Sequence, residues 1–323
     1  MKAIHLTAYG EPTTVLQLVD IPEPAQPGLG QVLIRVEYAP INPSDLMLAR
    51  QQYFLQPTVP AVIGGEGVGT IISVGSDVKH LQAGQRVTIP FLTFSWAEKV
   101  LAPADQVLAI SNNIDVKQAA MLNINPTTAV LLLNEFVKLK FGSWVALNAA
   151  NSGVGRSLIA IAKARGIKTI CVVRRAELRE ELLKAGANFV GVESPELAAQ
   201  VLAATGGEPI ELGLDAVGGS STGALASLLT TNSQIIVYAM LSGKPIEVSQ
   251  LDLVGKKMRI QGFWMYYDEF LPKLAEATLE GAQRIADGTL TLPITAIYKP
   301  EEISKAAEHA DRGGKVLLNF SEQ

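Results

Sequence analysis

The chain has 323 residues, enough for about two domains; 48% are hydrophobic and only 18% charged, so a large core is expected and extensive disorder is excluded. Its formal net charge is −4, and the basic doublets Arg174-Arg175 and Lys256-Lys257 stand alone, which argues against nucleic acid or an anionic membrane as partner. One cysteine, Cys171, excludes a disulfide framework and a cysteine-rich metal site, and no apolar run reaches the roughly 18 residues of a membrane helix.

The first third reads as irregular and β-rich. Short β-branched runs at 16–19, 32–36, 70–74 and 86–89 are punctuated by proline and glycine, the pattern of a partly open barrel. A helix is expected after Asn42-Pro43-Ser44-Asp45, with Ser44 or Asp45 as its cap. From about Asp115 apolar strands alternate with helical patterns: strands at 144–148, 168–173, 188–192, 212–216 and 234–238, helices at 154–165, 176–185, 196–204 and 223–229. Strands apolar throughout and separated by helices imply a parallel sheet covered on both faces, a doubly wound α/β domain of the Rossmann type. A strand at 258–263, a long amphipathic helix at 268–287, a helix at 300–311 and a strand at 315–320 complete the chain. The tail is too short for a domain and is expected to return to the N-terminal one. The division predicted is 1–122 plus 264–323 for one domain and 123–263 for the inserted nucleotide-binding domain.

The segment 144–155 is an apolar strand running into Asn151-Ser152-Gly153-Val154-Gly155 and then a helix. A dinucleotide needs this order, because the turn lets backbone approach the pyrophosphate and the helix N-terminus offers free N–H groups. The small-residue spacing falls on Ala149, Ser152 and Gly155, with serine in the middle. About 20 residues past the turn an NAD enzyme carries an acid for the ribose hydroxyls. Here stand Arg174 and Arg175, which suit a 2′-phosphate and select NADPH. The plainer alternative is a solvated basic pair balanced by Glu177 and Glu180.

These features, with 39–45 (Ala-Pro-Ile-Asn-Pro-Ser-Asp), 64–69 (Gly-Gly-Glu-Gly-Val-Gly), 125–129 (Asn-Pro-Thr-Thr-Ala), Val217-Gly218-Gly219 and Gly262-Phe263-Trp264, resemble the medium-chain dehydrogenase/reductase superfamily over essentially the whole chain. Within it the chain most resembles the 2-enoyl thioester reductases of mitochondrial type, whose cofactor turn also carries the serine. The resemblance implies a GroES-like catalytic domain around the Rossmann domain, and a homodimer. The strand at 258–263 is expected to offer an apolar edge for self-pairing.

Zinc-dependent members supply cysteine and histidine ligands near these segments. Here Asn42 takes the cysteine position, Gly65 precedes Glu66 where a histidine would stand, and His5, His80 and His309 are scattered, so no metal is expected. Asp45 and Glu66 are left with structural roles. Reduction of a C=C bond conjugated to a carbonyl suits a metal-free site: hydride adds at the β-carbon and an acid protonates the α-carbon. The resemblance assigns the acid to Tyr53, against the plainer alternative of an aromatic packing a loop. It also implies cofactor contacts at Asn125 and Thr127, at Tyr238, Ala239 and Met240, at Phe263, Trp264 and Met265 through backbone groups, and at Lys315 with a phosphate. The family's turn after the Tyr238 strand is glycine-rich, whereas Ala239-Met240-Leu241 is bulkier and would narrow the pocket.

The acceptor expected is an activated alkene of the acyl thioester class. A quinone is the close alternative, and a non-catalytic NADPH-binding protein the third. The start of the chain lacks the long apolar segment of a secretory signal, and a cytoplasmic protein is expected.

Overall fold

The computed structural model describes residues 1–321, and the chain divides into two compact units, residues 1–124 with the C-terminal segment from 291, and residues 125–290. In the first unit β1 (Lys2–Leu6) pairs antiparallel with β2 (Leu16–Asp20) and β4 (Ala61–Val62), the short helix α1 (Pro12–Val15) lying between β1 and β2. The eleven-residue β3 (Gln31–Ile41) is the spine of the larger sheet. Its register with β5 (Gly67–Val74) shifts at Leu33/Ile34 and again at Val36/Tyr38, and β6 (Arg86–Ile89) continues beyond β5. Such irregularities bend a strand. The N-terminal half of β3 thereby takes β7 (Lys99–Pro103) as a further partner, leaving its C-terminal half for the end of the chain. Inward residues such as Ile4, Leu6, Ile34, Ile71, Ile89 and Trp96 build one core. Helices α2 (Pro43–Ala49) and α3 (Val116–Ala119) complete this part.

The second unit opens with α4 (Asn125–Asn134), whose residues 125–133 are all buried. Strands β8 (Trp144–Leu147), β9 (Lys168–Val173), β10 (Phe189–Val192), β11 (Ile210–Asp215), β12 (Gln234–Val237) and β13 (Arg259–Gly262) are all parallel, in the order β10-β9-β8-β11-β12-β13. Alternate residues serve two cores. Val145, Leu147, Cys171, Val173, Leu212 and Leu214 face one layer with α4 and α5 (Gly153–Ala164). Trp144, Ala146, Ile170 and Val172 face the other. Helices α6 (Leu178–Ala185), α7 (Leu197–Thr205), α8 (Ser220–Leu228), α9 (Gln250–Gly255) and α10 (Leu274–Ala286) complete the unit. The chain then re-enters the first unit through β14 (Ala296–Tyr298), α11 (Ile303–Asp311) and β15 (Val316–Asn319), and β15 pairs antiparallel with β3.

Three expectations are corrected. The nucleotide-type unit runs to Leu290 rather than 263, because α10 packs on α4. The Thr127 and Thr278 hydroxyls meet at 2.8 Å, and a Cβ on Gly281 would lie 2.5 Å from Pro126. The cap of α2 is Asn42, not Ser44 or Asp45; Asp45 stands in the first turn and accepts the Asn42 N–H at 2.8 Å. The edge strand β13 is less apolar than expected, with Arg259, Gln261 and Gly262 exposed and only Ile260 half-buried.

Candidate functional site

In a doubly wound sheet, ligands sit beyond the carboxyl ends of the strands, where the strand order reverses. Here that point lies between β8 and β11. Two apolar strands end there in polar residues, Asn148 directly after β8 and Asp215 closing β11. Asn148 Nδ2 donates to Asp215 Oδ1 at 2.6 Å, and Asn148 Oδ1 accepts the Ala216 N–H at 2.8 Å. Asp215 also accepts the N–H groups of Val217 and Gly218 at 2.8 and 3.0 Å and the Thr222 hydroxyl at 2.5 Å. The turn at 217–219, with Gly218 and Gly219 at φ +78° and +58°, is thus held by a buried carboxylate. Asn148 and Asp215 were not among the residues expected from sequence; their signal is a polar residue at the carboxyl end of an otherwise apolar strand.

The turn after β8 is built as its residues require. Ala149 takes φ +47°, and Ser152 caps α5, its Oγ accepting the Gly155 N–H at 3.1 Å. A Cβ on Gly155 would lie 2.5 Å from Ala149 O, so only glycine lets the helix start this close to the strand. A Cβ on Gly153 would lie 2.5 Å from Asn125 Oδ1, so Gly153 makes room for the Asn125 carboxamide. Asn125 is buried, and its Nδ2 has no hydrogen-bond partner. The first N–H groups of α5, at Gly153 and Val154, lack intrahelical acceptors by geometry and face the helix's positive dipole end. Asn151 is exposed.

Arg174 and Arg175 follow β9, next to β8 in the sheet, and both are exposed. The acids nearby are engaged elsewhere: Glu180 pairs with Lys184 at 2.6 Å and Glu181 with Arg156 at 2.5 Å. Tyr238, just past β12, has a buried hydroxyl without a partner, and burial, then the Asp215 charge, raises its pKa. Met240 and Leu241 beyond it are each about half exposed.

Other expected positions are committed to packing. The Thr127 hydroxyl is buried against Thr278. Phe263 packs with Phe136 and Phe270 at ring distances of 5.8 and 5.0 Å, and Met265 Sδ accepts the Thr128 hydroxyl at 3.5 Å. These two offer backbone rather than side chain. Trp264 is half-buried, edge-on to Tyr266 and Tyr267. Lys315 was expected to reach a phosphate. Its Nζ instead donates to Asn42 Oδ1 at 2.6 Å.

In the first unit, α2 leads directly to Tyr53. Its C-cap Arg50 bridges Glu11 and Asp311 at 3.1 and 2.9 Å, Gln51 turns the chain at φ +60°, and the Gln52 N–H donates to Met47 O at 2.8 Å. Tyr53 is half-buried and stacked on the exposed Phe54, ring centroids 4.1 Å apart. Among the described residues no group of three His, Cys, Asp or Glu side chains is arranged to hold a metal, and no helix is long and apolar enough to cross a membrane.

The family model described as alcohol dehydrogenase GroES-like domain matches residues 28–112, and that described as zinc-binding dehydrogenase matches residues 153–280. The chain is similar to the mitochondrial enoyl-[acyl-carrier-protein] reductase of Caenorhabditis elegans, 36% identical over 286 residues, covering 86% of this chain and 81% of that protein. Among solved structures it is similar to a Bacillus thuringiensis protein assigned as an NADPH:quinone reductase, with a TM-score of 0.88 at 29% identity over 98% of each chain. It is also similar to Etr1p in complex with NADP and crotonyl-CoA, with a TM-score of 0.86 at 26% identity over 98% of this chain and 99% of that one.

Proposed function

We propose that this chain, which belongs to the medium-chain dehydrogenase/reductase superfamily and is an NADPH-dependent oxidoreductase, reduces the conjugated C=C bond of 2-enoyl thioesters without zinc. The likeness at 36% identity to an enoyl-[acyl-carrier-protein] reductase, across 86% of the chain, carries this reading. The residues fit a dinucleotide phosphate. The Gly153–Gly155 cradle leaves room for backbone to approach a pyrophosphate, the Asn125 amide waits without a partner, and Arg174 and Arg175 suit a 2′-phosphate.

Bound there, NADPH would supply the hydride that the β-carbon of the enoyl group takes up. Tyr53 is the acid that would give the α-carbon its proton. Asn125 and the backbone of Phe263, Trp264 and Met265 would hold the nicotinamide, and the residues at Tyr238, Ala239 and Met240 would line its surroundings. Asn42 and Gly65 stand where zinc-dependent relatives carry ligands, which supports a metal-free reaction.

A second reading, quinone reduction, is favoured by the likeness to the Bacillus thuringiensis protein. NADPH oxidation measured side by side with crotonyl-CoA and a quinone tests the choice; turnover of the quinone alone overturns enoyl reduction. Tyr53→Phe is expected to cut crotonyl-CoA turnover about a hundredfold or more; undiminished turnover removes the proton-donor role. A preparation whose activity is lost to chelation and restored by zinc would contradict the metal-free reading. A homodimer paired through the β13 edge is our reading of assembly, and elution at monomer mass overturns it. A cytoplasmic location is tested by imaging the tagged protein; mitochondrial import refutes it.

A further inference from the structure

Antiparallel pairing sets Val316 of β15 against Ile41 of β3, so the next pair outward is Lys315 and Asn42. The turn before Lys315 uses Gly313 and Gly314 at φ +103° and +107°, and the Lys315 N–H donates to Thr295 Oγ1 at 3.1 Å. From there a chain of hydrogen bonds runs inward. Lys315 Nζ donates to Asn42 Oδ1 at 2.6 Å, and Asn42 Nδ2 donates to Glu66 Oε1 at 3.0 Å. Glu66 Oε2 accepts the Ile124 N–H at 2.9 Å, and the Asp45 carboxylate accepts the N–H groups of Asn42 and Gly65 at 2.8 and 3.0 Å.

Asn42, Asp45 and Glu66 are 3%, 4% and 0% exposed, while Lys315 is half-buried. Two carboxyl groups therefore lie out of water, and the charge acting on both from outside the pair is the Lys315 ammonium. A buried carboxylate that loses its cation is strongly destabilising. The carboxamide of Asn42 also has a polarity to choose. An ammonium can only donate, so it takes the carboxamide oxygen as its acceptor, which turns the carboxamide nitrogen to Glu66.

We propose that Lys315 is a positioning residue that neutralises the Glu66–Asp45 pair and orients the Asn42 carboxamide, fixing the start of the helix Pro43–Ala49 from which the chain runs on to Tyr53, rather than a ligand of the nucleotide phosphate. Burial pushes Glu66 up to about 7 and Asp45 to about 6, and Lys315 restrains both rises. Removing the ammonium favours their neutral forms, and a protonated Glu66 carries an O–H on one of the two oxygens that now accept from Asn42 and Ile124. The link to turnover rests on Tyr53 as proton donor; the link to stability does not.

Lys315→Met and Lys315→Met/Glu66→Gln are compared with wild type by thermal melting at pH 6 and 8, and by kcat and KM for NADPH with crotonyl-CoA. The single variant is expected to melt roughly 10 °C lower at pH 8, with a smaller deficit at pH 6 where Glu66 takes up a proton. Its kcat should fall about tenfold or more, with KM for NADPH unchanged within about twofold. The double variant should recover at least half of the lost melting temperature. A tenfold or greater rise in KM for NADPH with kcat kept assigns Lys315 to the phosphate and overturns the proposal. So does a double variant that melts as low as the single one. If the single variant is too unstable to assay, the double variant carries the kinetic comparison. Should wild type fail to reduce crotonyl-CoA, the enoyl reading falls while melting and NADPH binding still judge Lys315.

Discussion

Replacing Asn125 with alanine separates a residue kept for a ligand from one kept for the fold. Its Nδ2 is buried without a partner, a condition that costs about 1–3 kcal/mol. Truncation relieves that cost and leaves a small void beside Gly153, worth about 1 kcal/mol in the other direction. The ligand-free protein should therefore be unchanged or slightly more stable, with a melting shift of no more than about 3 °C. Binding tells the opposite story. If NADPH satisfies the amide, the variant forfeits about 1–3 kcal/mol of affinity, a Kd raised about 5- to 150-fold. Melting of the ligand-free protein and fluorescence titration with NADPH measure the two effects on one preparation. A melting temperature lowered by about 6 °C or more with an unchanged Kd would refute the reasoning and make Asn125 a packing residue.

Arg174→Ala/Arg175→Ala should lower kcat/KM for NADPH at least about tenfold and leave that for NADH unchanged; equal losses with both cofactors would reject the phosphate role. Ser152→Ala removes the bond to the Gly155 N–H and should cost about 1 kcal/mol of stability, read by denaturant titration, with weaker NADPH binding; an unchanged midpoint counts against the cap. Glu66 and Asp45 are held at about 7 and about 6 in the folded protein against ordinary values of 4.5 and 3.8, so the folded state binds their protons more tightly. Their contribution is present at low pH and is lost as pH rises through that window. Melting temperature should thus decline from pH 5 to 7.5, less steeply in Glu66→Gln; a wild-type profile flat over that range contradicts the buried acids.

Apolar runs at 144–148, 168–173 and 234–238 announced their strands because both faces of a covered parallel sheet are dry, so nothing interrupts the run. The same dryness hid α4. Buried from Asn125 to Leu133, it carries no polar stripe to mark its period. Its burial under α10 also moved the unit boundary to Leu290, a contact between segments too far apart for local pattern to reveal. The glycine turn between β8 and α5 was legible because backbone conformation and close approach demand glycine at fixed spacing. Lys315 was not, since its partner Asn42 lies 273 residues away and becomes a neighbour only through the register of β15 on β3.

The polar residues at the strand ends hold the turns through bonds made within the protein. Asn148 and Asp215 are buried, and between them they satisfy the N–H groups of Ala216, Val217 and Gly218. Ser152 does the same for Gly155. What stays open is the Asn125 amide, the Tyr238 hydroxyl and the first N–H groups of α5. If the nucleotide binds here, scaffold bonds already made and buried groups left without partners direct its affinity to the ligand rather than to folding the loop. Asp215 anchors this arrangement. Its loss would loosen the 217–219 turn and so weaken nucleotide binding, although its carboxylate is fully committed within the protein.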